Sequence, residues 1–285
     1  MEGADLSRLS EDLLNDNPGK APKVALIGAG AMGGALLKGW IDKRAIDAAA
    51  SAVFEPDPSA ALQATARDAA IMLNPPISPR FDAVVLAVKP QSLSDAGPYA
   101  PMAQNAVVIS VLAGRSIASV SSVLGTTRII RAMPNLPSMV GAGAAGLYAP
   151  PAVSGDDRRI ARTLMEAVGE AVFVDSEAAI DAVTAISGSG PAYFFLLSEA
   201  LEEAALALGL PAESAAALAR QTLVGAGAVI AADDRNAAAL RKAVTSPGGT
   251  TEAALKVLDS EDKIVRKLIK DAAAAAFRRA QELTG

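Results

Sequence analysis

A glycine-rich segment near the start of the chain is the clearest candidate for a binding site. The apolar run Lys23 to Ile27 leads directly into it, and a helix-like stretch follows. The segment consists of Gly28, Ala29, Gly30, Ala31, Met32 and Gly33. In such a strand, turn and helix, the first glycine permits the tight turn, the second lets the backbone approach a diphosphate, and the third lets the helix pack on the strand. Because helix N-termini favour anions, the segment predicts a dinucleotide site.

Three further sites follow predicted strands, where ligands of doubly wound sheets bind. Glu55 ends an apolar run, at about 20 residues beyond the last glycine, where an acid holds ribose hydroxyls. The turn of Ala87, Val88, Lys89 and Pro90 is placed to touch the cofactor, or else is a strand-ending proline beside a solvated lysine. The amide of Asn135 is expected to reach a nicotinamide or substrate group, or to cap its loop.

Two loops in the second half of the chain have the composition of anion-binding sites. One is the segment 187–193, Ser-Gly-Ser-Gly-Pro-Ala-Tyr, and the other is the segment 244–251, Val-Thr-Ser-Pro-Gly-Gly-Thr-Thr. Each precedes a helical pattern. Glycines and hydroxyls at such a place present backbone N–H groups to an anion, and the helix dipole favours a carboxylate there. The alternative is simple helix capping by serine or threonine.

Composition excludes several classes of chemistry. The chain has no cysteine and no histidine, so it lacks thiolate nucleophiles, disulfides, sulfur-ligated zinc and the commonest metal ligand. We therefore predict no metal site. A formal net charge of −5 without a basic run argues against a nucleic-acid partner.

Short apolar runs and helical patterns must position these residues. Runs rich in valine and isoleucine alternate with helix-like stretches up to about Asp175, and this alternation predicts a parallel sheet wound with helices. The runs are VALIG, AVFE, DAVVLAV, AVVISV, RIIRAM and AVFV. Long Ala/Leu segments with helical spacing follow from Ser176. The expected fold is an N-terminal Rossmann-like doubly wound sheet followed by an all-helical dimerisation domain.

The same pattern predicts domain limits and location. We expect an N-terminal extension at residues 1–21, a dinucleotide-binding domain at 22–175 and a helical substrate-binding and dimerisation domain at 176–285. The first residues are polar and acidic, without the basic start and apolar stretch of a secretory signal. No uninterrupted apolar run approaches the roughly 20 residues of a membrane span. A cytoplasmic protein with no membrane partner is expected.

The motifs taken together resemble those of one enzyme family. GAGAMG, AVKP, RAMPNLP, SGSGPAY and VTSPGGTT, in this order and spacing, closely resemble pyrroline-5-carboxylate reductase, from about Val24 to the C-terminal helix. The resemblance implies reduction of 1-pyrroline-5-carboxylate to L-proline, the last step of proline biosynthesis, by hydride transfer from NADPH or NADH. It also implies a homodimer or larger homo-oligomer whose helical domains interlace, with each active site formed between subunits.

The resemblance also assigns roles to residues. It implies that the cofactor lies on the turn from Gly28 to Gly33 and on the turn from Ala87 to Pro90. The loop from Ser246 to Thr251 is implied to hold the substrate carboxylate, with Ser246, Gly248, Gly249, Thr250 and Thr251 as substrate-binding residues. Thr251 is the implied catalytic residue, as the partner of the ring nitrogen.

Glu55 departs from the pattern that the resemblance leads us to expect. NADPH-dependent members commonly have small, hydroxyl or basic residues there, and a carboxylate repels a 2′-phosphate. Glu55 therefore predicts a tilt towards NADH. The alternative is that Pro56 turns Glu55 to solvent, with Asp57 capping the following helix.

Two other functions remain open from the sequence. A 3-hydroxyacid or 6-phosphogluconate type dehydrogenase shares the domain order, but ketone reduction usually needs an acid such as His or Lys. The chain has no lysine from Gln91 through Arg241. A protonated cyclic imine is already electrophilic and needs orientation more than acid catalysis. The other alternative is a non-catalytic dinucleotide-sensing subunit, which the intact substrate loops argue against.

Overall fold

A computed structural model describes residues 20–259 and 262–284 of the chain. The predicted N-terminal extension, residues 1–21, lies almost wholly outside the described residues. The described chain forms two compact units. The first contains residues up to Val111 together with Ile117–Ile130 and Pro150–Val168. The second contains Leu112–Ser116, Arg131–Ala149 and the chain from Gly169 onwards.

The first unit is built on a sheet with the strand order β3-β2-β1-β4-β5-β6. The strands are β1 Val24–Ile27, β2 Ala52–Phe54, β3 Met72–Leu73, β4 Ala83–Leu86, β5 Val107–Ser110 and β6 Ile129–Met133. The pairs β3-β2, β2-β1, β1-β4 and β4-β5 are parallel. This order is that of a dinucleotide-binding doubly wound sheet, so the predicted fold class is confirmed. The two-residue strand β3 was not predicted.

Helices connect these strands. They are α1 Ala31–Asp42, α2 Ala60–Asp68, α3 Ala100–Ala103, α4 Ile117–Leu124 and α5 Gly155–Glu166, with 3-10 segments at Ala48–Ala50 and Pro90–Tyr99. The strands β1, β2, β4 and β5 are buried along their whole length. Continuous apolar runs are typical of parallel strands that helices cover on both faces, which explains why the valine-rich runs were readable in the sequence.

Trp40 fastens α1 to the end of α5 within the first unit. Its side chain is fully buried, and its indole N–H donates to the carbonyl oxygen of Leu164 at 2.7 Å. Gly39 allows this approach, because a Cβ atom there would lie 2.2 Å from Cγ1 of Val168. Burial of a large aromatic side chain with its N–H satisfied is a strong local anchor for α1, and α1 is the helix that starts at the glycine turn.

An ion pair joins the start of α5 to the segment before β6. Arg128 Nε and Nη2 donate to the two carboxylate oxygens of Asp157 at 2.7 and 2.6 Å. The Asp157 side chain is 2% exposed and that of Arg128 is 43% exposed. Burial alone raises the pKa of the Asp157 carboxyl, but hydrogen bonds from Arg128 and Ser154 and the charge of Arg128 outweigh it and hold the pKa below its ordinary value.

The second unit contains the end of β6, two more strands and most of the helices. β7 Gly143–Tyr148 pairs antiparallel with β6 and parallel with β8 Gly169–Phe173. β8 contains the first three residues of the predicted run AVFV, whereas β7 was not predicted. The helices are α6 Ala179–Val183, α7 Gly190–Ala207, α8 Ala212–Ala232, α9 Ala237–Ala243, α10 Thr250–Leu258 and α11 Ile264–Thr284. A π-helical turn, Thr184–Gly188, joins α6 to α7, and Leu136–Val140 is a 3-10 segment.

The long helices of this unit leave much apolar surface uncovered. α7 and α8 pack against each other, yet Phe194, Phe195 and Leu196 are each more than half exposed. The segments Ala179–Ala207 and Ala212–Ala232 are long and apolar enough to cross a membrane by length and composition alone. That is weak evidence for a membrane, because core helices of soluble proteins meet the same criterion. A partner must cover such surface, or it stays in unfavourable contact with water.

The two units do not correspond to a single cut in the chain. The second unit begins its last segment at Gly169 and also includes Leu112–Ser116 and Arg131–Ala149. The predicted domain limit between Asp175 and Ser176 therefore stays a prediction.

The ion pair of Arg128 with the buried Asp157 generates a prediction about stability. We expect Asp157→Asn to lower the free energy of unfolding by about 2 kcal/mol at neutral pH, since it leaves a partly buried guanidinium without its charged partner. The folded-state pKa of Asp157 is lowered from 3.8, so the stabilisation is present above pH 3.8 and is lost as the pH falls through the lower folded value. Urea unfolding curves at several pH values measure the difference.

The neighbouring carboxylate provides a matched control for this substitution. Asp156 pairs with Arg159 on the surface, where both side chains are more than two-thirds exposed. Asp156→Asn is expected to change stability by less than about 0.5 kcal/mol, because exposed ion pairs contribute little. Equal effects of the two substitutions would contradict the role given to Asp157.

Candidate functional site

The glycine turn between β1 and α1 is too tightly packed for side chains. Gly28 has a φ of 88°, and a Cβ atom there would lie 2.8 Å from the carbonyl oxygen of Ala87. A Cβ atom on Gly33 would lie 2.2 Å from the carbonyl oxygen of Gly28. Only glycine fits these two positions, so the turn, α1 and the end of β4 are packed backbone against backbone.

The N-terminus of α1 faces open space and is not covered by other parts of the protein. Gly30 is the N-cap residue of α1, and no side chain caps the helix there. A Cβ atom placed on Gly30 would meet nothing within 4 Å. The first N–H groups of a helix have no partner within it. Together with the helix dipole, they make this end of α1 a fitting cradle for a diphosphate.

The carboxylate of Glu55 points at the glycine turn. Glu55 Oε2 accepts a hydrogen bond from the backbone N–H of Ala29 at 2.8 Å. Asn74 fixes the backbone on which Glu55 stands, because its Oδ1 accepts from the Glu55 N–H and its Nδ2 donates to the Glu55 carbonyl, both at 2.9 Å. An acid oriented in this way at the end of β2 is placed to accept hydrogen bonds from ribose hydroxyls.

The structure does not match the alternative in which Pro56 turns Glu55 to solvent and Asp57 caps α2. Pro56 does not turn the Glu55 side chain to solvent, since that side chain is half-buried against the turn. The helix α2 is capped by Ser59, whose Oγ accepts from the N–H of Leu62 at 3.2 Å. The expected alternative cap, Asp57, instead donates its N–H to Glu55 Oε1 at 3.4 Å.

A cavity of about 380 Å³ lies between the glycine turn and the ends of β2 and β4. It brings together six of the predicted cofactor residues: Gly28, Gly30, Glu55, Ala87, Val88 and Lys89. Its other lining residues are Ile27, Phe54, Pro56, Ser92, Asp95 and Tyr99. Ala31, Met32, Gly33 and Pro90 adjoin the cavity along the chain without lining it.

Tyr99 and Phe54 form an aromatic part of this lining. Their ring centroids are 5.2 Å apart in an edge-to-face arrangement. Burial, and then the negative charge of Glu55, raise the pKa of the Tyr99 hydroxyl. The phenol therefore stays protonated and neutral at physiological pH. The 3-10 segment Pro90–Tyr99 places this ring over the cavity, a placement without a signal in the sequence.

The loop before α10 has the backbone shape that its glycines permit. Gly248 has a φ of 72°, and its N–H donates to Glu252 Oε2 at 2.8 Å. The Gly249 N–H donates to the carbonyl oxygen of Ser246 at 3.0 Å. A Cβ atom on Gly249 would lie 2.4 Å from Ser246 Oγ, so the serine folds directly over the glycine.

The paired threonines begin the helix. α10 runs from Thr250 to Leu258, and its N-cap is Gly249, which has no side-chain cap. Thr251 is half-buried, whereas Thr250 and Ser246 are exposed. The first N–H groups and the hydroxyl of Thr251 thus occupy one helix end, an arrangement able to bind a carboxylate.

Asn135 is enclosed by main-chain groups of the second unit. The residue is 7% exposed. Its Nδ2 donates to the carbonyl oxygen of Ser187 at 2.9 Å, and its Oδ1 accepts from the N–H of Ala144 at 2.8 Å. A direct contact with a nicotinamide or substrate group stays a prediction.

Two family models match successive parts of the chain. Residues 177–283 match the model for pyrroline-5-carboxylate reductase dimerisation. Residues 23–114 match a model described as NADP oxidoreductase, coenzyme F420-dependent. The glycine turn and the cavity lie within the part that matches the NADP oxidoreductase model, and α7 to α10 with nearly all of α11 lie within the part that matches the dimerisation model.

Relatives are similar over nearly the whole length. The pyrroline-5-carboxylate reductase of Pseudomonas aeruginosa is 41% identical over 269 residues, which is 92% of this chain and 97% of the relative. The chain belongs to the pyrroline-5-carboxylate reductase family. A solved member from Coxiella burnetii is 37% identical, with a TM-score of 0.85 over 93% of this chain and 100% of that chain. The Plasmodium falciparum enzyme, solved with NADP bound, is 26% identical with a TM-score of 0.76; the match covers 94% of this chain and 100% of that chain.

Membership of the pyrroline-5-carboxylate reductase family confirms the predicted function. The chain is an NAD(P)H-dependent oxidoreductase that reduces 1-pyrroline-5-carboxylate to L-proline. The predicted cofactor class is likewise confirmed. The individual site residues and the preference between NADH and NADPH remain predictions.

Sequence reasoning missed part of the lining of the reductase's cavity. Ser92, Asp95 and Tyr99 come from the segment after Pro90, which has neither strand alternation nor helical spacing. Phe54, by contrast, lies in a predicted strand directly before Glu55 and was within reach of the sequence argument.

Proposed function

We propose that the first unit holds NAD(P)H with its diphosphate on the turn from Gly28 to Gly33 and its adenosine ribose at Glu55. The support is the cradle itself, since Gly30 leaves open space at the uncapped start of α1 and the Glu55 carboxylate is fixed beside it. When bound, the reduced nicotinamide supplies the hydride. Ala87, Val88 and Lys89, from the turn that follows β4, line the same cavity.

The second unit is proposed to hold the substrate. The loop from Ser246 to Thr251 offers the N–H groups at the start of α10 to the carboxylate of the imine acid, and the Thr251 hydroxyl contacts the ring nitrogen. The positive φ of Gly248 and the close contact of Gly249 with Ser246 hold the loop in one conformation. A fixed loop reduces the entropy that substrate binding must overcome.

The chemistry proposed for these residues is orientation rather than acid catalysis. The protonated imine is an electrophile, and addition of hydride to its carbon gives a neutral amine. No histidine is present, and the mechanism requires none. The Thr251 hydroxyl accepts a hydrogen bond from the protonated ring nitrogen, while the loop N–H groups hold the carboxylate. Two fixed points on a small ring determine which face meets the nicotinamide.

The active form is proposed to be a cytoplasmic homodimer or a larger homo-oligomer. The exposed apolar side chains of α7 and α8 lie within the region that matches the dimerisation model. A second copy of the chain would bury this surface, which accounts for helices of membrane-like hydropathy in an NAD(P)H-dependent enzyme. Closed symmetry would give each copy the same surface to bury.

Thr251 is the residue on which the substrate assignment can be tested. We expect Thr251→Ala to lower kcat/KM with 1-pyrroline-5-carboxylate by about ten- to a hundredfold, which corresponds to roughly 1–3 kcal/mol for one lost buried hydrogen bond. Cofactor affinity, measured by fluorescence titration, is expected to stay unchanged. Thr251→Ser is the matched control, since it keeps the hydroxyl and should retain most of the activity. Wild-type kinetics in Thr251→Ala would falsify the assignment.

Glu55 is expected to tilt cofactor choice towards NADH. Steady-state assays of the wild-type enzyme with each reduced cofactor should favour NADH, and Glu55→Ser should lower kcat/KM for NADH and raise it for NADPH. The reason is that ribose hydroxyls lose an acceptor while a 2′-phosphate loses a like charge. A change in the ratio on the order of tenfold to several hundredfold is reasonable for one half-buried carboxylate.

Asp57 serves as the control for this experiment. It has a carboxylate two residues further along and is exposed. Asp57→Asn removes the same charge from the neighbourhood and should leave the ratio nearly unchanged. If Glu55→Ser also leaves the ratio unchanged, or if both substitutions shift it equally, Glu55 does not read the ribose.

The oligomer can be tested by hydrodynamics. Sedimentation at assay concentration is expected to give at least a dimer, because a single chain exposes the apolar faces of α7 and α8. Leu197→Glu, on an exposed position of α7, should shift the population to smaller species and reduce activity in parallel. Ser122→Glu, on the exposed surface of α4, is the control for one added negative charge. A fully active wild-type monomer contradicts the proposal.

A further inference from the structure

The turn that leads into α7 has an irregular backbone with an identifiable cause. Thr184–Gly188 is a π-helical turn, in which the N–H of Ser189 donates to the carbonyl oxygen of Thr184 at 2.8 Å. In a regular α-helix the carbonyl of Ser187 accepts from the residue four places on. That residue is Pro191, which has no N–H. The chain therefore cannot satisfy this carbonyl within the helix.

Asn135 supplies the missing donor. The N–H of Ala144 can only donate and the carbonyl of Ser187 can only accept, so the amide of Asn135 has one permitted orientation between them. Tyr193 also donates to a carbonyl of this turn, because its hydroxyl bonds to the carbonyl oxygen of Ala185 at 3.0 Å. Two side chains thus donate to carbonyls of one turn, and the Ser187 carbonyl is the one whose α-helical partner is a proline.

This arrangement costs more than a regular helix does. A residue with an N–H at position 191 would satisfy the Ser187 carbonyl without help from another segment. Backbone irregularities that surrounding side chains enforce are concentrated at functional sites, and π-turns are frequent there. The turn ends at Gly188 and is followed by Ser189 and Gly190, so the shape fixed by Asn135 sets the position of a glycine- and hydroxyl-rich segment.

We propose that Asn135 is a positioning residue of the reductase. It acts through the carbonyl of Ser187 and holds the segment 187–190 in the conformation against which the imine is oriented for hydride transfer. The proposal deepens the function proposed above and assigns Asn135 an indirect role, in keeping with its burial and with the engagement of both ends of its amide.

Asn135→Asp tests the proposal with little change of shape. One carboxylate oxygen still accepts from Ala144, but the other, when ionised, cannot donate to Ser187. We expect kcat with 1-pyrroline-5-carboxylate to fall by about ten- to a hundredfold at neutral pH, because small misplacement of reacting groups is costly. The KM for the reduced cofactor and the sedimentation coefficient should stay unchanged. As the pH falls, the introduced carboxyl gains a proton and can donate again, so the ratio of wild-type to variant kcat should decrease.

Two further variants keep the test decisive. Tyr193→Phe removes the second donor and should lower kcat in the same direction, by about threefold to tenfold, even if Asn135→Asp fails to fold. Ser138→Ala is the control from the same loop, because its buried hydroxyl has no hydrogen-bond partner among the described residues. Its kcat should equal that of the wild type.

The outcomes separate this proposal from the one on which it rests. Wild-type kcat in both Asn135→Asp and Tyr193→Phe overturns the positioning role while leaving imine reduction intact. A lower melting temperature with unchanged kcat per folded dimer also overturns it, since the amide is then only structural. Failure of the proposed substrate site is a separate result, which would be seen as wild-type imine kinetics in Thr251→Ala.

Discussion

The close approach of two main-chain segments at the glycine turn determines the geometry of the first unit. Gly33 lies on the carbonyl of Gly28, and Gly28 lies on the carbonyl of Ala87, with no space for a Cβ atom at either contact. These contacts draw the start of α1 to the ends of β1 and β4. Glu55 completes the arrangement by accepting the N–H of Ala29. Trp40, buried at the other end of α1, holds the helix in this position.

Much of the fold could be predicted because parallel strands leave a simple signal. Each of the six apolar runs identified in the sequence coincides with a strand over most of its length. β7 was missed because its sequence, GAAGLY, has low β-propensity. Its neighbours β6 and β8 provide the ladder, and Gly146 is required because Val183 packs where a Cβ atom would be, at 2.5 Å. Tertiary contacts, rather than local preference, make this segment a strand.

The candidate site was predictable where chemistry and backbone shape coincide. Glycines that have positive φ or abut main chain, such as Gly28 and Gly248, are visible in a sequence because other residues fit poorly there. The position of Tyr99 and the enclosure of Asn135 were not visible, since each depends on a segment distant in sequence. In the sequence, Pro191 is one residue of the candidate anion-binding loop 187–193. Its effect, a carbonyl at Ser187 without its helical donor, becomes apparent only when Asn135, in the loop after β6, is located.

The uncovered faces of α7 and α8 also affect how the chain reaches its native state. In the proposed homodimer these helices bury their apolar side chains only after two chains meet, which would make the last folding step second order in protein concentration. At low subunit concentration, newly made chains would keep these helices exposed for longer and would be more susceptible to aggregation or proteolysis. Recovery of activity after dilution from denaturant is then limited by encounter of subunits rather than by closure of the sheet, and the amount of enzyme in a cell influences the yield of its own folding.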